Sequence, residues 1–340
     1  MLASALAGAA LTPLIPLPVL AAPAPQRFRR TLLGTVVDIT VVDTANTAAF
    51  VAVQVDQAFH EMQRLEGLMS RFDPRSPLSQ INAHAGGQSV VVAPELMAVL
   101  QTAQQRATRT EGAFNPVLGQ LTMQADPGAK RLDDAFVRRM LPAASSAALE
   151  LEDHQMRARL NTPLARLDLG GIAKLSILNA GLQKLQGAGI SGCLINGGGD
   201  VLATARADGQ PWRIGIRDAV QPDQLLAIIP LRKGVLASSG DYERFATVGG
   251  QRVHHIINPA TGRSTRGLRG VTLMADYVDE VNGFGPAAMV VGPSQAMQKL
   301  QQWGVANTLL MGPDTAVQIS PALQAQLEPA PGQTQIRPFS

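Results

Sequence analysis

The sequence predicts an α+β domain whose second half is dominated by strands, and three observations carry that reading. Val55, Phe59, Met62, Leu65 and Met69 recur at steps of three and four, which gives one helix an apolar face. From residue 147 onward, short apolar runs alternate with turn residues, at 165–169, 192–196, 212–217, 226–231, 252–257, 270–274, 287–292 and 307–311, the pattern of successive strands. The 340 residues are 46% hydrophobic and 16% charged, so a sizeable core can form without a disulfide staple. The single cysteine, Cys193, sits in an apolar stretch and reads as a buried, inert thiol. With 29 Lys and Arg against 26 Asp and Glu, the net charge of +3 is too weak to point to nucleic acid. The lack of a Cys/His cluster excludes a zinc ribbon.

Residues 1–25 are uncharged, apolar and end in small residues, like the apolar region and cleavage zone of a secretory signal. Export to a periplasm is expected. Pro13, Pro16 and Pro18 argue against a membrane-spanning helix there. After Arg27-Phe28-Arg29-Arg30, the β-branched run 31–42 reads as one strand. Asp43 or Thr44 is placed to cap the long helix that follows. A polar turn at 73–77 leads on to a second helix starting at Pro94, with Leu96, Leu100, Ala103 and Ala107 on its apolar face. Asp126-Pro127-Gly128 marks a turn in the less regular stretch 122–147, and a helix over 172–185 interrupts the later strands. The domain is read as 26–325, with a loose Pro- and Gln-rich tail over 326–340.

Three segments concentrate glycine, polar and charged residues beside these elements. Asp168-Leu169-Gly170-Gly171-Ile172-Ala173-Lys174 stands at a strand-to-helix junction, where two glycines admit a ligand and a helix N-terminus offers N–H groups to phosphate. Taken alone, the segment favours the simpler reading, a tight turn into a core helix. Asn196-Gly197-Gly198-Gly199-Asp200 is either a hairpin turn or a ligand loop; it lacks the glycine spacing of a dinucleotide fingerprint. The third segment holds Ser239-Gly240-Asp241-Tyr242 and then His254-His255-Ile256-Ile257-Asn258-Pro259. Adjacent strand residues face opposite ways, so at most one of the two histidines serves any given site. Spacing alone assigns His255 no role.

In order along the chain, these segments join Gly34-Thr35, Met69-Ser70-Arg71-Phe72, Leu78-Ser79-Gln80-Ile81-Asn82 and Phe114-Asn115-Pro116. Together they resemble the ApbE-type FAD:protein FMN transferases. The resemblance spans about 31–310 and implies a single T-fold-related domain with mixed or antiparallel sheets and flanking helices. It also implies an exported enzyme that binds FAD and Mg²⁺ and moves FMN onto a Ser or Thr hydroxyl of a membrane-linked redox partner protein. Carried over by position, Met69, Ser70, Phe72, Gly170, Gly171, Gly198, Gly199, Asp200, Ser239 and Asp241 would contact FAD. Lys174 and His255 would act near its phosphates, and the Ala173 carbonyl would face the metal.

The family's other two metal ligands are an Asp and, four residues later, a Thr. In an ungapped match Asn282 and Pro286 stand there. Asn keeps an oxygen without charge and Pro has none, so Mg²⁺ should bind weakly. Asn115 and Asn258 also replace a usual Asp, Val117 a Thr and Leu175 a Gly. Two expectations stand side by side: an active flavin transferase with altered metal ligation, and a flavin- or partner-binding relative without the chemistry.

Overall fold

Neighbouring residues of the central strands enter two different cores. In Gly234–Gly240, Val235 and Ala237 join one core and Leu236 the other; in Asp200–Ala203, Leu202 faces the first core and Val201 and Ala203 the second. Period-two alternation with both sets buried requires cover on both faces of the sheet. The computed structural model describes residues 24–331, apart from 44, 125–132, 222, 243–244, 249–250 and 314–315, and shows both covers. One eight-stranded antiparallel sheet runs in the order Gln26–Leu32, Thr35–Val41, Cys193–Gly197, Asp200–Ala203, Gly234–Gly240, Gly270–Ala275, Asn307–Met311, Val317–Ile319. Helices Ala48–Met69, Pro94–Arg109, Ala173–Gly187 and Phe284–Val291 pack on one face. The three-stranded sheet of Trp212–Arg217, Leu225–Leu231 and Glu328–Pro329 covers the other. The result is the single α+β domain that the sequence predicts. No helix among the described residues is long and apolar enough to cross a membrane.

The long helix Ala48–Met69 buries Val55, Phe59, Met62, Leu65 and Met69, and Pro94–Arg109 buries Leu96, Leu100, Ala103 and Ala107, the faces that spacing predicts. The long helix is capped by Thr47, whose side chain accepts from the Phe50 N–H. Asp43, expected there, instead accepts from the N–H groups of Ala45, Asn46 and Ser191, fixing the preceding loop; Thr44 lies outside the described residues. Cys193 is fully buried, and burial, with nearby Asp43 adding to it, pushes its thiol up to about 12. It is inert, as the sequence indicates.

Other expectations change. The run 31–42 is not one strand but the two arms of a hairpin, Gln26–Leu32 and Thr35–Val41, joined by Leu33 and Gly34 at φ 57° and 66°. Both loop residues are left-handed, as a two-residue hairpin turn requires; a leucine there is rare, which hid the turn. The run 165–169 forms no strand, and 287–292 belongs largely to the helix Phe284–Val291. A short apolar run buried on all sides does not distinguish the two by periodicity. Glu328 and Pro329, expected in a loose tail, pair with Ile228 and Ala227. The turn at 126–128, residues 1–23 and the tail beyond 331 lie outside the described residues.

Gly198 and Gly199 form the two-residue turn between Cys193–Gly197 and Asp200–Ala203, at φ 61° and 93°. A Cβ on Gly198 would lie 2.7 Å from Thr35 Oγ1, so this turn packs on the first hairpin. Gly198→Ala should therefore lower stability by about 1–3 kcal/mol, from left-handed strain plus the clash, read as a shifted denaturant midpoint at unchanged m-value.

Candidate active site

A cleft of about 630 Å³ opens where the strand ends, the start of the Ala173–Gly187 helix and the Phe284–Val291 helix meet. That is the size range of small-molecule and cofactor sites. Its floor is an ion pair: Lys174 Nζ lies 2.8 Å from Asp200 Oδ2, and the Ser238 N–H donates to Asp200 Oδ1 at 2.8 Å. Burial drives the Asp200 carboxyl pKa up from its ordinary value, and the Lys174 ammonium and the Ser238 N–H work against that rise.

One wall is the segment 168–174. Asp168 organises it, accepting from the Gly170 N–H at 2.8 Å and from Thr122 Oγ1 at 2.6 Å, with Arg71 Nε 3.4 Å away. Gly171 is needed for close approach, because a Cβ there would stand 3.3 Å from the Phe114 ring and 3.5 Å from the Pro286 ring. The adjoining wall is the loop after the long helix. Ser76 and Ser79 hydroxyls both donate to the Ser70 carbonyl, which bends Ser70, Arg71 and Phe72 over the cleft. The Arg71 guanidinium lies 4.3 Å from the centre of the Phe72 ring, and Phe72 is 71% exposed. Asn82 fixes the relation between the walls: its amide donates to the Leu167 carbonyl at 3.0 Å and accepts the Leu167 N–H at 2.6 Å. It satisfies that buried main chain as a strand partner would.

Met69, Ser70, Phe72, Gly170, Gly171, Ala173, Lys174, Asp200, Ser239, His255, Asn282 and Pro286 all line this cleft. Three residues named from the sequence do not. Gly198 and Gly199 sit beside it as the hairpin turn on Thr35, next to Gly34 in the lining. Asp241 stands outside, bound to Arg252 Nη1 at 3.0 Å and Arg269 Nε at 2.9 Å. It anchors the hairpin Phe245–Val248 and Gln251–His254, which delivers His255. The two histidines diverge as strand geometry requires. His255 lines the cleft, while His254 is buried and contacts the Thr265 carbonyl through Nε2 and the Ile256 N–H through Nδ1.

The corner where the resemblance would place a metal lacks the donors of a cation site. Asn282 is buried, and its Nδ2 donates to the Ile172 carbonyl at 3.0 Å and to Ser176 Oγ at 3.1 Å. Its Oδ1 is sealed from solvent without a hydrogen-bond partner. Pro286 turns a hydrocarbon ring toward Gly171. Among the described residues no group of three His, Cys, Asp or Glu could hold a metal. A neutral amide oxygen and main-chain carbonyls do not meet the demand of Mg²⁺ for charged, octahedrally placed oxygens, so the residues present do not fit the ion. Pro286 does not break its helix: it sits in the first turn, where a missing N–H leaves no gap.

Two further residues of the site gave little signal in sequence. Glu66 lines the cleft and accepts the Leu33 N–H at 2.8 Å, steadying the left-handed turn. Arg106 is buried beneath Asn282, donating through Nε to the Asn282 carbonyl at 2.8 Å and through Nη2 to the Asp279 carbonyl. Its one trace in sequence is a charge on an otherwise apolar helix face.

Comparison with known proteins places this architecture. The profile of the ApbE family matches residues 33–309, and the chain belongs to that family. An FAD:protein FMN transferase of Rhodobacter capsulatus is 34% identical over 263 residues, 75% of this chain but 50% of its own length, so this chain spans about half of that relative. One from Treponema pallidum is 28% identical over 315 residues, 85% of each chain. The ApbE protein of Thermotoga maritima superposes with a TM-score of 0.82 at 26% identity, over 89% of this chain and 99% of that one. The flavin transferase ApbE from Vibrio cholerae shares the fold, with a TM-score of 0.77 at 23% identity over 89% of this chain and 99% of its own.

Replacing Asn82 by Leu removes both partners of the Leu167 main chain, and a loss of about 2–4 kcal/mol follows for two orphaned buried groups; chemical denaturation measures it. A second expectation concerns pH. Burial lowers the His254 pKa below its ordinary value, and the neutral ring, donating at Nε2 and accepting at Nδ1, satisfies both neighbours. Below the unfolded value of 6.5, the unfolded chain takes up a proton that the folded chain refuses, so stability falls as pH falls. Melting temperatures from pH 7.5 to 5 (about the range in which imidazole titrates) should drop less steeply for His254→Gln than for the parent chain.

Proposed function

We propose that the cleft binds FAD and that the chain transfers its FMN half to a Ser or Thr hydroxyl of an acceptor redox protein. The carrying observation is the convergence of Lys174, Asp200 and His255 in one cleft walled by Met69, Ser70 and Phe72, in a chain whose relatives are named for that transfer. The Phe72 face and the Met69 side chain suit a flat aromatic ring system. The diphosphate would lie against Lys174 and the N–H groups of the Gly170–Gly171 turn. The acceptor oxygen forms a bond to the FMN phosphorus as the bridging P–O bond to AMP breaks. The hydroxyl proton passes to a ring nitrogen of His255, the imidazole lining the cleft, and AMP leaves with the bridging oxygen. Lys174, held by Asp200, answers the charge that develops on the phosphoryl oxygens. Export to the periplasm and a membrane-linked acceptor belong to the same reading; the apolar segment 1–25 supports the first.

A second reading, a flavin-binding relative that no longer turns over, is favoured by Asn282, Pro286 and Leu175 at the metal corner. One assay separates the two. The chain is incubated with FAD and an acceptor peptide carrying Ser or Thr, and covalent flavin is read by in-gel fluorescence. Labelling by the parent chain, with a loss of about 10²–10⁴ in rate for His255→Ala at undiminished FAD binding, establishes the transferase. Tight FAD binding without labelling establishes the second reading.

A further inference from the structure

The metal corner is already filled by the protein's own donors. The Asn282 amide bridges the Ile172 carbonyl and Ser176 Oγ, oxygens that a nearby cation would otherwise polarise. Directly behind it, the buried Arg106 guanidinium donates to the Asn282 and Asp279 carbonyls, which are neutral acceptors, and lies 4.4 Å from the centre of the Phe284 ring. Phe284 in turn stacks on Trp303 at 5.7 Å, so the guanidinium is fixed in an apolar wall. Arginine stays charged in such a place, and its field reaches the cleft through little intervening solvent. A divalent ion at Asn282 Oδ1 would meet that charge across a single residue; the Asp279 carboxylate offsets part of it and the Arg109 guanidinium adds to it. Across the corner, the Pro286 ring and Leu175 close the lining with hydrocarbon.

We propose that this chain binds the diphosphate of its flavin ligand without a divalent cation, the Asn282 side chain occupying the metal corner and the buried Arg106 guanidinium supplying positive charge from behind it. Lys174 and Arg71 face the ligand from the cleft lining; Arg106 acts from behind, as a positioning residue that also sets the local potential. This inference rests on the flavin reading above and deepens it.

The test is equilibrium binding of FAD to the full chain, followed by quenching of flavin fluorescence, in chelator and in excess Mg²⁺, with riboflavin as a probe lacking phosphate. The parent chain should bind FAD with the same Kd, within about twofold, in both buffers, and manganese should show no stoichiometric binding by electron paramagnetic resonance. In Asn282→Asp with Pro286→Thr, a carboxylate beside Arg106 should weaken FAD binding in chelator, and Mg²⁺ should tighten it about tenfold, a typical coupling between two ligands. Arg106→Gln should weaken FAD several-fold in chelator and leave riboflavin unchanged, a selectivity that mere loosening of the fold would not give. Tightening of parent-chain FAD binding by about tenfold or more in Mg²⁺ overturns the inference while the flavin reading stands. FAD binding in neither buffer overturns both. Equal weakening of FAD and riboflavin in a folded Arg106→Gln removes the guanidinium from the argument.

Discussion

A carboxylate buried at the start of a strand must be answered from within a few ångströms, and that demand shapes the floor of the cleft. Asp200 is almost sealed from water, one oxygen taken by the Ser238 N–H of the next strand and the other by Lys174. Lys174 is the second residue of the Ala173–Gly187 helix, so the pair fixes where that helix begins relative to two strands. The segment 168–172 then has one way to run, along the lip of the cleft, and Asp168 holds it there through Gly170 and Thr122. Removing either partner of the floor pair would strand a buried charge, a far larger loss than the pair's net worth suggests.

Much of this was legible because helix faces and alternating strands follow from spacing. The two long helices, the strands at Cys193–Gly197, Trp212–Arg217, Leu225–Leu231, Gly270–Ala275 and Asn307–Met311, and the cleft segment 168–174 were all visible there. What stayed hidden depended on tertiary context. Leu33 takes a left-handed turn that its side chain disfavours, and the Glu66 carboxylate from a distant helix supports it. Gly198 and Gly199 carried a real signal of unusual backbone, but the cause is a tight hairpin pressed on Thr35. Asp241 stood among cleft residues in sequence, yet it is buried outside the cleft lining, paired with two arginines.

The Asn82 brace, the serine pair over Ser70 and the floor ion pair form a complete frame, and Asn282, Pro286 and Leu175 share one corner of the cleft it encloses. There the donors are neutral and the rest of the lining is apolar, yet hydrogen bonding is largely met: the Asn282 amide hydrogens and main-chain carbonyl are all engaged, and Oδ1 alone is left over. A corner that had merely decayed would leave several buried polar groups unanswered.

The hairpin that carries His255 reaches the cleft on an electrostatic tether. Asp241 receives Arg252 from that hairpin and Arg269 from the approach to Gly270–Ala275, and the arginine side chains are 31% and 26% exposed. Added salt shortens the reach of such charges, to about 8 Å at physiological strength and less beyond it. The floor pair has similar exposure, Lys174 at 24% and Asp200 at 5% against 10% for Asp241, so salt reaches it to a similar degree. Ionic strength therefore acts on both sides of the cleft at once, on the histidine arm through Arg252 and Arg269 and on the floor through Lys174.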